Sequence, residues 1–243
     1  LNGVFFMEQH PPLGKIFIAL GEKIINANPV DDGYIGTDYA QNIPDSFSFR
    51  GYRFFPALFG WLCAPLLFSI FLRISKNSSI AGLLSFLYIF DNAEIVHSRG
   101  AMVDSPLIFF SLLTLFLFLI LVDRRRSLAS TTILSIAFGL SFGAAFTTKL
   151  VGLVMILLLP ISLIYTRKCW KRLLIIPGSF ACGFLLIYLS VWHIHFALGR
   201  TIVAALPNQG YYGASDAYKS VLADSKQDRK STRLNFSHVS ESR

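Results

Sequence analysis

The sequence predicts an all-α protein, a polytopic bundle of transmembrane helices with about six spans and one amphipathic interfacial helix. Of its 243 residues, 53% are hydrophobic and only 15% are charged, and the mean hydropathy is +0.56. This composition is typical of integral membrane proteins. Clusters of basic residues separate the apolar stretches, so the net charge of +8 is explained by membrane topology, and nucleic-acid binding is not predicted.

Six stretches are long and apolar enough to cross a hydrocarbon core of roughly 30 Å. They lie at 54–73, 79–97, 105–122, 130–147, 150–165 and 173–196. Basic residues fall in alternate connections: Arg73 and Lys76, then Arg124, Arg125 and Arg126, then Arg167, Lys168, Lys171 and Arg172. Because cytoplasmic loops carry an excess of Lys and Arg, these connections are predicted to be cytoplasmic. The other segments then share the outer side, namely 1–53, 98–104, 148–149 and 197–227.

The interfacial helix is predicted directly after Pro11 and Pro12. Proline suits a helix start, because the first turn needs no donated N–H. An apolar stripe then recurs at helical spacing, formed by Leu13, Ile16, Phe17, Leu20 and Ile24, whereas Lys15, Glu22 and Lys23 lie off that stripe. The stretch is short and ends at "NANPVDDG". It is therefore predicted to lie in the outer interface and to form the floor of a cavity, not to be a seventh span.

Ionisable residues concentrate in "YIFDNAEIVHSRGAMVDSP", residues 88–106. Asp91, Glu94 and His97 recur every three residues, which predicts one shared helix face, and Arg99 and Asp104 follow. Ionisable groups at membrane depth cost several kcal/mol unless they are paired or face water, so each is a functional candidate. Structural ion pairs between helices are the alternative interpretation.

Two further cations lie at predicted outer helix ends. Lys149 occurs in "AFTTKLVG", at the turn between two apolar runs, and Arg53 opens the second long segment in "YRFFPALFG". Both side chains could simply extend toward the interface. Together with Arg99 and the nearby carboxylates, however, they form an outward-facing set of charges that suits an anionic lipid head group.

Neither a disulfide framework nor a metal site is predicted. Cys63, Cys169 and Cys182 fall in or beside apolar stretches without paired spacing. His193 and His195 are two residues apart, which places them on different helix faces and favours a structural role at the interface.

Five segments of the sequence resemble motifs of one known family. "EQHPPLGKIFIALGE" resembles the D-x-H-P-P-L-G-K motif of the protein O-mannosyltransferases, the dolichyl-phosphate-mannose-dependent enzymes of glycosyltransferase family 39. Further segments match in the family's order: "YRFFPALFG", "IFDNAEIVHSRGAMVDSPLIFF", "GLSFGAAFTTKLVGL" and "IYLSVWHIHFALGR". The resemblance covers about residues 5–227.

The resemblance implies a GT-C fold and a membrane enzyme whose site faces the extracytoplasmic side. Such an enzyme transfers mannose, or a related hexose, with inversion from a polyprenyl or dolichyl phosphate to Ser or Thr hydroxyls of secreted or membrane proteins. It needs a general base at the acceptor and cations at the leaving phosphate. The implied partners are the bilayer, the lipid-linked donor and acceptor proteins. No cofactor is firmly implied, and metal dependence is open.

The matching motifs also imply residue roles. Arg53 is the best candidate for the donor phosphate contact, with Lys149 and Arg99 as helpers. The residues expected to shape the cavity are His10, Lys15, Glu94 and Asp104. Glu8 aligns with the Asp of the D-x-H-P-P motif and is a supporting acid. The family's principal Asp-Glu pair lies upstream of that motif and has no counterpart here, so we expect a fragment that is inactive by itself.

The expected organisation is an outer segment at 1–53, the transmembrane GT-C domain at 54–196 and the start of the next outer loop at 197–227. Residues 228–243 resemble translated sequencing-adapter sequence and are left out of the fold prediction. The soluble MIR domain of eukaryotic members does not follow the "IHF" helix here. This difference favours a bacterial plasma membrane, with the endoplasmic reticulum as the location if the source is eukaryotic.

Competing functions remain open from sequence. A GT-C enzyme with a lipid or cell-wall acceptor would share the fold and the donor type. A secondary transporter would show inverted repeats and helices broken near the bilayer midplane, yet no internal repeat is visible and the charges lie toward one face. A purely structural membrane scaffold would leave that clustering without a cause.

Overall fold

A computed structural model describes residues 10–28, 47–123 and 127–198, and within these ranges it contains helices and no strand. The helices are α1 (Leu13–Ile25), α2 (Arg50–Ser75), α3 (Ser78–Ile89), α4 (Asn92–Arg99), α5 (Asp104–Leu121), α6 (Leu128–Thr148), a 3-10 helix (Leu150–Leu157), α7 (Leu158–Thr166) and α8 (Trp170–Leu198). The described residues up to His193 belong to one compact unit, and the end of α8 from Ile194 belongs to a second.

Four helices are long and apolar enough to cross a membrane, namely α2, α5, α6 and α8. They correspond to four of the predicted spans, and α2 extends beyond its predicted 54–73 at both ends. A fifth is obtained if α3 and α4, which are bent by 58° at their junction, are counted as one broken span. The chain is thus a multi-pass membrane protein, and the predicted all-α fold class is confirmed.

The predicted span at 79–97 is broken because Asp91 caps a new helix. The Asp91 carboxylate accepts a hydrogen bond of 2.9 Å from the backbone N–H of Glu94, one of the donors that a helix start leaves without an intrahelical partner. Asp91 therefore precedes α4, and the prediction that it shares a helix face with Glu94 and His97 is wrong.

The predicted span at 150–165 has an unusual form. It begins with eight residues of 3-10 helix and continues with the nine residues of α7. Since a 3-10 helix rises about 2.0 Å per residue and an α-helix 1.5 Å, this segment still extends about 30 Å. The tighter winding thus compensates for the small number of residues.

The core lies where α5, α6 and α8 meet. It is formed by the buried side chains of Phe118, Leu121, Phe138, Phe142, Ile176 and Phe180. Gly139 on α6 lies directly against the backbone carbonyl of Phe180 on α8, and Gly183 lies in the same way against Ile136. Small residues allow this close backbone approach, which is what stabilises helix pairs in a bilayer.

The first helix, α1, packs along the start of α2. Gly21 meets the backbone of Gly51, and the Phe17 ring lies 5.4 Å from that of Phe55 and 4.9 Å from that of Phe59. The helix begins directly after Pro12, as predicted.

The face of α1 that packs overlaps the predicted stripe only in part. Leu13 is buried, and Ile16 and Phe17 pack against the same cluster. Leu20 is 38% exposed and Ile24 57% exposed, whereas Glu22, which lies off the stripe, is buried. Gly14 and Gly21 are also buried, and they allow neighbouring segments to approach this face closely.

Candidate functional site

An ion pair joins the start of α5 to the end of α6 at the predicted outer side. The Lys149 ammonium donates a hydrogen bond of 2.9 Å to the Asp104 carboxylate. Asp104 is the first residue of α5, where the helix dipole favours a carboxylate, and Lys149 directly follows the last residue of α6, where it favours a cation. The Lys149 side chain is 27% exposed and that of Asp104 31% exposed, so a ligand can reach both.

The start of α1 lies beside this pair. A Cβ atom on Gly14 would come within 2.6 Å of the Val103 side chain and 3.2 Å of the Thr148 side chain, the residues that directly precede Asp104 and Lys149. Gly14 therefore has no room for a side chain. The next residue, Lys15, is partly buried, and this burial lowers its pKa from the ordinary value of 10.5, because burial disfavours the charged form.

A polar cluster closes the other end of α1 against α2. The side-chain amide of Asn28 pairs with the backbone of Ser48, donating 2.7 Å to its carbonyl and accepting 2.8 Å from its N–H. Asn28 also donates from its backbone N–H and its side chain to one oxygen of Glu22, at 2.9 Å and 3.0 Å. This network holds residues 28 and 48 together and fixes the direction in which α2 begins.

The start of α2 carries the predicted phosphate ligand Arg53. Its guanidinium lies over the Phe49 ring, 4.9 Å from the ring centre, and the side chain is exposed. Gly14 contacts Thr148, the residue before Lys149, and Glu22 contacts Gly51, two residues before Arg53. These two contact points lie eight residues apart on α1, which is about 12 Å along the helix axis.

Glu94 on α4 binds a tyrosine hydroxyl. Tyr88 donates a hydrogen bond of 2.8 Å to the Glu94 carboxylate and lies 3.5 Å from the carbonyl of Gly60 on α2. A Cβ on Gly60 would come within 2.5 Å of Ser98, so α4 packs closely against α2. Arg99 is exposed at the end of α4.

The structure therefore joins only some of the residues singled out from sequence. Lys149 and Asp104 form the ion pair, and His10, which is exposed, and Lys15 flank the start of α1. Within the described residues, no hydrogen bond or ion pair joins these side chains to the remaining candidates, Arg53, Arg99 and Glu94. Glu8 lies outside the described residues.

Sequence reasoning missed the cluster of Glu22, Asn28 and Ser48. The one signal in the sequence is an acidic residue placed between Gly21 and an apolar pair, Ile24 and Ile25, near the end of a short helix. That signal does not reveal the partners, because Ser48 lies 20 residues from Asn28 along the chain.

The described residues contain no group of three or more His, Cys, Asp or Glu side chains arranged to hold a metal ion. The three cysteines, Cys63, Cys169 and Cys182, are free.

Comparison with known proteins identifies the family. A sequence model of the dolichyl-phosphate-mannose-protein mannosyltransferases matches residues 1–215. The chain belongs to this family. The resemblance seen in the sequence motifs is thereby confirmed.

Individual mannosyltransferases are similar along much of the chain. Dolichyl-phosphate-mannose--protein mannosyltransferase 1 of Candida albicans is 30% identical over 258 residues, which covers 95% of this chain and 27% of that protein. Protein O-mannosyltransferase 1 of Drosophila pseudoobscura pseudoobscura is 29% identical over 230 residues, covering 86% of this chain and 24% of that protein. The chain thus spans about a quarter of the length of these relatives.

A solved mannosyltransferase structure has a similar fold. The Saccharomyces cerevisiae protein O-mannosyltransferase Pmt1-Pmt2 complex bound to the sugar donor matches with a TM-score of 0.64 and 25% identity, covering 84% of this chain and 29% of the matched chain. The helical architecture described above is therefore similar to that of part of this protein O-mannosyltransferase complex.

Proposed function

We propose that this chain is part of a membrane enzyme that transfers mannose, or a related hexose, from a dolichyl or polyprenyl phosphate to Ser or Thr hydroxyls of proteins. Transfer would occur with inversion at the anomeric carbon and on the extracytoplasmic face. The relatives named above are mannosyltransferases of proteins, which supports a protein acceptor over a lipid or cell-wall acceptor. Membership of an enzyme family likewise favours this function over a secondary transporter or a structural scaffold.

The observation that carries the proposal is the accessible ion pair of Lys149 and Asp104 beside α1. When the sugar leaves its carrier, negative charge grows on the departing phosphate, and a fixed cation stabilises that charge more in the transition state than in the ground state. Asp104 holds the Lys149 ammonium in place before the donor binds. In this scheme Lys149 contacts the phosphate, and Asp104 is a positioning residue.

The other candidates have secondary roles in this proposal. Arg53 and Arg99 are exposed cations that would contact the donor phosphate from α2 and α4. His10, Lys15 and Glu94 would shape the cavity, with Glu8 as a supporting acid. The general base at the acceptor hydroxyl would be a carboxylate outside this set.

The proposed location is the membrane of the endoplasmic reticulum. The named relatives are fungal and insect proteins, which favours a eukaryotic source over the bacterial plasma membrane expected from the sequence alone. With the basic connections in the cytoplasm, the Lys149–Asp104 pair would face the lumen.

The experiment compares variants of the full-length protein in a mannosyl-transfer assay with dolichyl phosphate mannose and a Ser/Thr peptide. We expect Lys149→Met to lower the transfer rate about 10²–10³-fold, the usual effect of removing a group that stabilises transition-state charge. Lys149→Arg should retain more activity, because the charge is kept.

The matched control is Arg73→Met. Arg73 on α2 forms an ion pair of 3.5 Å with Asp123, two residues after the end of α5, and its exposure is comparable. This pair lies at the predicted cytoplasmic side. Loss of either partly exposed pair should cost about 1 kcal/mol of stability or less. An equal loss of activity in both variants would mean that Lys149 acts only through stability, and an unchanged rate in Lys149→Met would remove its role at the phosphate.

A further inference from the structure

The helix that carries Arg99, α4, is held in place by few contacts. It has eight residues, and none of these eight is buried. A helix this short is not stable in isolation, and a segment with little buried apolar surface opens at a low cost in free energy. The contacts that do hold α4 therefore decide where its last residue, Arg99, lies.

One of these contacts is a hydrogen bond across the break between α3 and α4. Tyr88, near the end of α3, donates 2.8 Å to the carboxylate of Glu94 on α4, and the two helices are bent by 58° at their junction. The same hydroxyl lies 3.5 Å from the backbone carbonyl of Gly60 on α2. Both side chains are partly buried, and a buried carboxylate that loses its donor is left unsatisfied, which makes the bond costly to break.

The second contact lies at the same glycine of α2. A Cβ atom on Gly60 would come within 2.5 Å of the Cβ of Ser98, the residue before Arg99, and 3.8 Å from the hydroxyl oxygen of Ser105, the residue after Asp104. The end of α4 and the start of α5 therefore meet at one position of α2. Arg99 is thus attached close to the end of α5 that carries the proposed donor site.

The charge of Arg99 is available to an anion. Its side chain is exposed, and no carboxylate in the described part of the chain forms an ion pair with it. Glu94, on the same helix, accepts its hydrogen bond from the neutral Tyr88 instead. The Tyr88–Glu94 bond therefore fixes α4 without neutralising the guanidinium.

We propose that Tyr88 and Glu94 are positioning residues for the lipid-linked donor. Their hydrogen bond, together with the contact at Gly60, holds α4 where Arg99 meets the donor phosphate. This inference rests on the proposed function. If α4 opens, only the molecules with α4 in place bind the donor well, so the apparent affinity falls with that fraction. Since Arg99 would contact the phosphate before the reaction as well as during it, KM should change more than kcat.

The experiment measures mannosyl transfer and the binding of dolichyl phosphate, both with the full-length protein. Tyr88→Phe removes only the hydroxyl, and it should raise the KM for dolichyl phosphate mannose and the Kd for dolichyl phosphate about fivefold, with kcat within about twofold of the parent. Glu94→Leu should have the same effect. Glu94→Gln should keep both constants within about twofold of the parent, because its amide oxygen still accepts from Tyr88.

A double-mutant cycle tests whether the pair acts through Arg99. Arg99→Gln by itself should raise the Kd for dolichyl phosphate about fivefold or more, because a charged contact with the phosphate is lost. Adding Tyr88→Phe to Arg99→Gln should then change the Kd by less than about twofold, since no guanidinium is left to position. A further loss as large as in the parent would show that Tyr88 acts only through general stability, and the positioning role would be overturned.

Two glycines provide a test that changes no polar side chain. Gly60→Ala pushes Ser98 and α4 away from α2, so it should raise the Kd as Tyr88→Phe does. Gly82→Ala on α3 is the matched control, because a Cβ there would meet no described atom within 4 Å, and it should bind like the parent. Circular dichroism shows whether each variant is folded, and if Gly60→Ala is not, Tyr88→Phe decides. A folded Gly60→Ala with the affinity of the parent would contradict the contact.

The outcomes separate this inference from the proposed function. If Lys149→Met lowers the transfer rate while Tyr88→Phe and Glu94→Leu leave KM and Kd unchanged, the proposed function stands and the positioning role is overturned. If the parent transfers no mannose but binds dolichyl phosphate in a way that depends on Tyr88 and Arg99, the positioning role stands and the proposed reaction is wrong. A parent that does not bind dolichyl phosphate would overturn the positioning role.

Discussion

The contact between α6 and α8 makes a sharp prediction about two glycines. A Cβ atom on Gly139 would lie 2.9 Å from the carbonyl carbon of Phe180 and 3.0 Å from its Cα, and still closer to its carbonyl oxygen. On Gly178, in α8, a Cβ would meet no described atom within 4 Å. The substitutions Gly139→Ala and Gly178→Ala therefore add the same methyl group to helix interiors with opposite consequences.

The expected magnitudes follow from packing. Alanine in place of glycine favours a helix by about 0.5–1 kcal/mol, and Gly178→Ala should show this gain. At Gly139 the backbone of Phe180 cannot rotate away as a side chain would, so α8 must move outward by roughly 1 Å, which weakens van der Waals contacts across the core. Such overpacking costs about 1–3 kcal/mol. Because both variants gain the same helix propensity, they should differ by about 1–3 kcal/mol.

The assay is the free energy of unfolding of each full-length variant in the same detergent, with helix content followed by circular dichroism. Gly139→Ala should be less stable than the parent, and Gly178→Ala should equal or exceed it. If Gly139→Ala were as stable as Gly178→Ala, the close backbone contact between α6 and α8 would be absent. The packing argument would then be refuted.

Two further predictions concern the ends of α1. Asn28→Ala should lower the free energy of unfolding by about 1–3 kcal/mol, because it removes a donor to the buried Glu22 and both hydrogen bonds to Ser48. A change below about 0.5 kcal/mol would show that the network does not hold these residues together. Because burial lowers the pKa of Lys15, the unfolded chain binds more protons between that lowered pKa and 10.5, and stability should rise with pH across this window. Lys15→Met, which removes the partly buried charge, should therefore be more stable than the parent at pH 7, and the difference in free energy of unfolding should shrink toward pH 10.5. A difference that does not change with pH would contradict the lowered pKa of Lys15.

The candidate site illustrates what the sequence could predict. Ionisable residues at predicted helix ends singled out Lys149 and Asp104 separately, because charge beside apolar stretches is costly and visible in sequence. Their pairing was not predicted, since the two residues are 45 positions apart and the spacing within one helix says nothing about a neighbouring helix. Asp91 was misjudged because a three-residue spacing fits both a helix face and an N-cap, and only the break at the end of α3 distinguishes the two.

The sequence by itself determined the membrane class, the family, the start of α1 and the position of four long spans. These properties depend on local composition, on motifs and on the requirement that a helix in lipid satisfies its own backbone hydrogen bonds. Tertiary structure alone decided that Glu22 on α1 is buried, where a span winds as a 3-10 helix and which charges meet. In a bilayer apolar side chains are stable on any face of a helix, so the choice of partner depends on close packing at glycines and on polar contacts between distant segments.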